Sequence, residues 1–183
     1  MRKVRECVFE TNSSSVHTFV KGTSSKKRGM PSPFVGDGKV HVSFGEYDRG
    51  TGDDTWTPRG KLEYLVTVIG YLHDVNDEDG IDCNMYTMHW EFDDENSEDF
   101  KRRMHVLALT LMNTPEFEDL NNECKKAWPE WPGLVIGEKK TGYIDHQSVP
   151  ESWEDVKEQL KSETGMTIAE WLVSDGYLEC SSD

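Results

Sequence analysis

With 35 Asp and Glu against 20 Lys and Arg, the 183-residue chain has a formal net charge of −15. That charge repels nucleic acid and anionic membrane from the body of the protein and draws it toward basic surfaces. No apolar run approaches the ~20 residues of a membrane span, while six Trp, seven Phe, six Tyr and seven Met supply core material that disordered chains lack.

The charge is divided along the chain. Residues 1–30 hold seven Lys/Arg against two Glu, and the remaining 153 residues hold 13 against 33, an acidic body with a basic leader. The length suits one domain, residues 1–183, with a single core. The start, Met1-Arg2-Lys3-Val4-Arg5-Glu6, lacks the apolar stretch of a signal peptide. Cys7, Cys83, Cys124 and Cys180 are widely spaced, with no Cys-x-x-Cys pair to hold zinc or cycle as a redox couple. A soluble, cytoplasmic protein with reduced cysteines is the expectation.

In chain order, Val4 to Phe9 and Val16 to Val20 are β-prone runs flanking a polar stretch, Glu10 to Ser15. Residues 22–38, rich in Gly, Ser, Lys and Pro, read as a mobile basic loop. Lys39 to Phe44 alternates as a strand does, and Gly45 to Thr57 reads as a second polar loop. Pro58 suits a first helical turn, and Leu62, Leu65, Val68, Ile69 and Leu72 predict an amphipathic helix over 59–73. Ser97 is a good N-cap, Glu98 and Asp99 favour a helix start, and Phe100, Met104, Leu107 and Leu111 form a stripe ending near Asn113. A shorter helix is predicted from Pro115 to Ala127, stopped by Trp128-Pro129-Glu130-Trp131-Pro132-Gly133.

Leu134 to Ile136 and Tyr143 to Asp145, joined by a Gly-bounded polar segment, predict a hairpin near 134–146. Pro150 to Leu160 and Thr167 to Ser174 read as helices, and Gly176 to Glu179 as a last extended piece. With no internal repeat and no linker, the predicted class is α+β, short strands and a hairpin packed against several amphipathic helices in a single domain.

The acidic stretch Asp74 to Ile81 fails as a calcium loop. Gly80 at the sixth position puts Val75 at the first and Tyr86 at the twelfth, where carboxylates are needed. Asp77, Glu78 and Asp79 therefore read as a solvated acidic patch, and Asp93, Asp94, Glu95, Glu98 and Asp99 as a second, able to imitate spaced phosphates. None of the six histidines forms a helical His-x-x-x-His pair, and no metal or cofactor is implied. Two polar segments carry the remaining chemistry. Thr11, Asn12, Ser13, Ser14, Ser15 and His17 in the first, with Asp145 and His146 in the second, offer hydroxyls, imidazoles and a carboxylate. The first segment lacks the Gly-x-Ser-x-Gly elbow that presents an activated serine, and a tight turn with a structural Asp–His pair is the plainer reading.

Phe9-Glu10-Thr11-Asn12-Ser13-Ser14-Ser15-Val16-His17 and Tyr143-Ile144-Asp145-His146-Gln147-Ser148 resemble two signature strips, about 15 residues together, of a family of small proteins from bacteriophages and mobile elements of Firmicutes. Some small acidic proteins of such elements are anti-CRISPRs, and this chain is similar to a type II anti-CRISPR of that setting. The resemblance implies a host-cytoplasm inhibitor whose partner is a type II CRISPR nuclease with its guide RNA, and it carries over no catalytic residue.

Such nucleases hold nucleic acid in positively charged channels, which an acidic surface could occupy as a DNA mimic. On this reading Asp77, Glu78, Asp79, Asp93, Asp94, Glu95, Glu98 and Asp99 bind the partner. Trp128 and Trp131 are anchors where exposed, and Lys21, Lys26, Lys27 and Arg28 touch DNA or RNA phosphate. The competing expectation is a hydrolase or transferase built from Ser13 to Ser15, His17, Asp145 and His146.

Overall fold

The computed structural model describes residues 15–47, 55–76, 78–83, 85, 97–137, 140, 142–144 and 150–182. The fold is α+β, five helices around three two-stranded sheets among the described residues. The predicted strand at Val4 to Phe9 lies outside them.

At its centre is helix α1, Pro58–Tyr71. It meets strand β2 (Val40–Val42), strand β5 (Tyr143–Ile144), and helices α2 (Glu98–Leu111), α3 (Pro115–Ala127) and α5 (Ile168–Val173). The expected amphipathic helix is in fact buried on nearly every side, from Gly60 to Gly70 with Glu63 as the exception. The polar residues that suggested a solvent face find partners inside. Thr67 Oγ1 donates to the Glu63 carbonyl at 2.6 Å and accepts the Gly45 N–H at 2.8 Å. The Tyr47 hydroxyl donates to the Gly60 carbonyl at 3.3 Å. The Lys61 amine donates to the carbonyls of Trp171 and Ser174 at 2.6 and 2.9 Å. Hydrogen bonds of this kind remove most of the cost of burying polar groups.

Each of the five described helices begins on a Ser or Thr hydroxyl that accepts the N–H three residues on, a satisfied cap in every case. These are Thr57 for α1, Ser97 for α2, Thr114 for α3, Ser152 for α4 (Trp153–Thr164) and Thr167 for α5. Gly165, at φ 76°, ends α4 in the left-handed conformation, which glycine adopts without strain.

The two runs expected to fold back as a hairpin do not pair with each other. Strand β4 (Leu134–Ile136) lies parallel to β2 with Val40 opposite Leu134, and β5 lies parallel to β3 (Glu46–Tyr47) with Glu46 opposite Tyr143. β3 falls inside the stretch read as a polar loop. The two parallel ladders follow one another along both segments, with residues 43–45 between them on the earlier one. Gly142 permits the close approach, since a Cβ there would lie 2.7 Å from the Gly45 carbonyl oxygen and from Phe44 Cβ.

Strand β1 (Ser15–Val20) pairs antiparallel with β6 (Tyr177–Ser182), joining the beginning of the described chain to its end. Helix α4 lies on β1 and occupies its free edge. Gln159 donates to the His17 carbonyl at 2.8 Å, and the Phe19 N–H donates to Glu163 at 2.6 Å. Thr55 does the same for β6, its hydroxyl donating to the Leu178 carbonyl at 3.2 Å and accepting the Leu178 N–H at 2.9 Å. Part of each edge of this ribbon is thereby occupied against further strand pairing.

Residues 21–39, between β1 and β2, have no regular secondary structure, as expected of the basic loop. The loop expected to be mobile is nonetheless tied down. Ser24 N–H donates to Asp175 at 2.8 Å, Arg28 N–H to the Val173 carbonyl at 2.6 Å, and the Trp128 indole to the Arg28 carbonyl at 3.2 Å.

Candidate functional site

Helix α2 places Glu98 and Asp99 on its first turn because Ser97 caps it and Phe100 and Met104 must face the core. Both carboxylates are exposed and both are held within the helix. Lys101 meets Glu98 at 2.8 Å, and Arg102 and Arg103 meet Asp99 at 2.9 and 3.1 Å. The hydrogen bond from Lys101 draws the Glu98 carboxyl below its usual range, and that from Arg102 does the same for Asp99.

Arg103 does a second job, donating to the Asp82 carbonyl at 3.1 Å. Asn76 and Asp82 are joined by an antiparallel bridge, and Glu78 and Asp79 between them are exposed. One guanidinium therefore joins the two acidic patches that lie twenty residues apart in sequence. Asp74 is exposed just before the loop, and His73 meets Glu116 of α3 at 3.1 Å. Exposed Glu78 and Asp79 are thus linked through Arg103 to exposed Glu98 and Asp99, with Lys101, Arg102 and Arg103 set among them. Asp77 and the triplet Asp93, Asp94 and Glu95 lie outside the described residues.

Trp128 and Trp131 are not surface anchors. They are 7% and 8% exposed, their rings stack with centroids 5.5 Å apart, and both indole N–H groups are engaged, Trp131 donating to Asn121 at 2.7 Å. Their role is to seal the end of α3 against the basic loop. The Trp-Pro-x-Trp-Pro-Gly spacing that ends the helix also turns both rings inward. The side chains of Lys21, Lys26, Lys27 and Arg28 stand exposed on that loop.

Of the alternative polar site, Asn12, Ser13, Ser14, Asp145 and His146 lie outside the described residues. Ser15 opens β1, opposite Ser182. His17 is 5% exposed. It shares the inward face of β1 with Phe19 and sets its ring edge-on to Tyr64, with centroids 5.9 Å apart. Among the described residues, no three His, Cys, Asp or Glu side chains are grouped as a metal site, and Cys124 is a buried free thiol. No helix among them is long and apolar enough to cross a membrane.

Sequence reasoning missed two features. One is Lys61, fully buried beneath α5 with its amine 4.8 Å from the Trp171 ring centroid; burial pushes the amine down to about 7. The other is a groove along the outer face of β2, taken up below. A lysine among the apolar positions of α1 and a Phe-Val pair in a basic loop were the signals available. Comparison with protein-family models, with curated proteins and with solved structures finds no match.

Proposed function

We propose that the protein is a phage or mobile-element inhibitor that binds a nucleic-acid-handling defence protein, a type II CRISPR RNA-guided nuclease being the target class the two signature strips suggest. Its acidic face occupies a basic nucleic-acid channel and blocks DNA recognition or cleavage. The observation that supports this reading most is the joining of the Glu78–Asp79 loop to the Glu98–Asp99 helix start through Arg103. It gathers exposed carboxylates from separate parts of the chain onto one surface, the arrangement needed to match a strip of phosphate-binding cations. The enzyme alternative gains nothing from His17, whose ring lies in the core.

The test is association and cleavage with a purified type II nuclease and its guide RNA, with and without target DNA, in moderate salt. Stable association with loss of cleavage is expected. Lys at Asp93, Asp94, Glu95, Glu98 and Asp99 together should weaken inhibition, while His17→Ala and His146→Ala should act only through stability. Normal cleavage with no association refutes the proposal. Turnover that disappears in well-folded His variants would transfer the function to the polar segments.

A further inference from the structure

His41 and Ser43 project from the outer face of β2, opposite the buried Val40, Val42 and Phe44. With Ser32, Phe34, Arg59 and Gly137 they line a groove of about 400 Å³, within the range of roughly 300–1,000 Å³ typical of ligand clefts. Its rim is braced. Phe34 N–H donates to the Lys39 carbonyl at 2.7 Å, and Gly38 N–H to the Phe34 carbonyl at 2.9 Å. Asp37 accepts the Lys39 N–H at 3.0 Å and meets His41 Nε2 at 2.9 Å.

Arg59, from the first turn of α1, donates to the main-chain carbonyls of His41 and, at 3.2 Å, Ser32. Among the described residues no carboxylate pairs with it. A guanidinium has five N–H donors in a fixed fork, so two carbonyl contacts orient it and leave donors and a full charge for an anion. Phe34 is 57% exposed, with its ring centroid 4.9 Å from that of His41. The same loop carries Lys21, Lys26, Lys27, Arg28 and Lys39, all exposed.

We propose that this groove binds a nucleotide, either free or as one unit of a single strand, with the phosphate on Arg59 and the Ser32 and Ser43 hydroxyls and the base against Phe34. A held cation beside an open aromatic face is the pairing that phosphate and base require together. A bare anion would leave Phe34 unused, and an apolar ligand would bury the Arg59 charge unpaired. The groove shares no lining residue with the acidic segments, and the proposal does not depend on the inhibitor reading.

Fluorescence anisotropy of a labelled oligothymidylate with the full chain tests it, with thymidine monophosphate, inorganic phosphate and a duplex of equal length as competitors. The single strand should bind, and displacement by the mononucleotide, or its failure to displace, tells whether the groove takes a free nucleotide or one within a strand. Phe34→Ala should weaken binding by about 5- to 100-fold, as loss of a base–aromatic stack does. Its exposed ring makes the variant safe for folding. Arg59→Gln, checked by circular dichroism because it braces the rim, should weaken binding by about tenfold or more. Lys26→Gln with Lys27→Gln should cost less, and only at low salt.

Three results overturn the proposal. They are no binding with millimolar nucleotide at low salt, equal competition by duplex, and a Phe34→Ala variant that binds as the wild type does.

Discussion

Lys61 should give the protein a stability that rises with pH. Its amine is enclosed between α1 and α5, donating to Trp171 O and Ser174 O, and burial lowers it from 10.5 to about 7. Two acceptors match the two protons of a neutral amine, and for an ammonium the Trp171 ring, its centroid 4.8 Å away, offsets only part of the lost hydration. Between these two values the unfolded chain binds a proton that the folded chain does not, so stability increases with pH at up to about 1.4 kcal/mol per unit. Below pH 7 the amine is charged in both states, and the full penalty applies with no further slope. Allowing for half-protonation at pH 7, the gain from pH 7 to pH 9 is about 2 kcal/mol.

Urea unfolding of the wild type and of Lys61→Met at pH 7, 8 and 9, at constant ionic strength, isolates this effect. The variant leaves two carbonyls without a donor and so shifts overall stability, but only the wild type should gain from the pH change attributable to Lys61. Tyr64 and Cys124, whose ionisation burial opposes, are common to both proteins and cancel in the difference. If the two stabilities run parallel from pH 7 to pH 9, the buried amine is not titrating as argued.

Three further outcomes are expected. Trp131→Ala should cost about 3–5 kcal/mol, read as a lower urea midpoint, because it opens the stacked pair that closes α3 against the basic loop. Thr167→Ala should cost about 1 kcal/mol by removing the hydroxyl that, with Glu170, forms the capping box of α5. Glu163→Ala should speed hydrogen exchange at the Phe19 amide and raise the concentration dependence of aggregation, since it uncovers part of the β1 edge.

The helices were legible from local chemistry. Ser97, Thr114 and Thr167 precede the helices they cap, Pro58 and Pro115 stand at the helix starts, and the α2 stripe of Phe100, Met104, Leu107 and Leu111 is the buried face observed. Caps and stripes act over three or four residues, so a chain records them directly. The candidate site was legible only in composition. Carboxylate clusters stood out, but nothing local joined Asp99 to the 76–82 loop, because the link is one long side chain reaching another segment's carbonyl.

Strand partners and the faces of the central helix were decided by tertiary structure. Leu134–Ile136 and Tyr143–Ile144 have the spacing of a hairpin, yet each pairs in parallel with a strand more than ninety residues earlier. Main-chain groups are alike at every residue, so the sequence of a strand does not name its partner. His17 could have faced either way in a five-residue β-prone run, and packing against Tyr64 turned it inward. Lys61 reads as a surface residue in any local window. The carbonyls at the end of a helix more than a hundred residues later are what allow it to sit in the core. What the sequence alone determined is therefore the five described helices and the net charge, which follow from near neighbours and from counting. Pairing, inside and outside, and the meeting of distant polar groups arose only when the chain closed on itself, because their energies depend on partners remote in sequence.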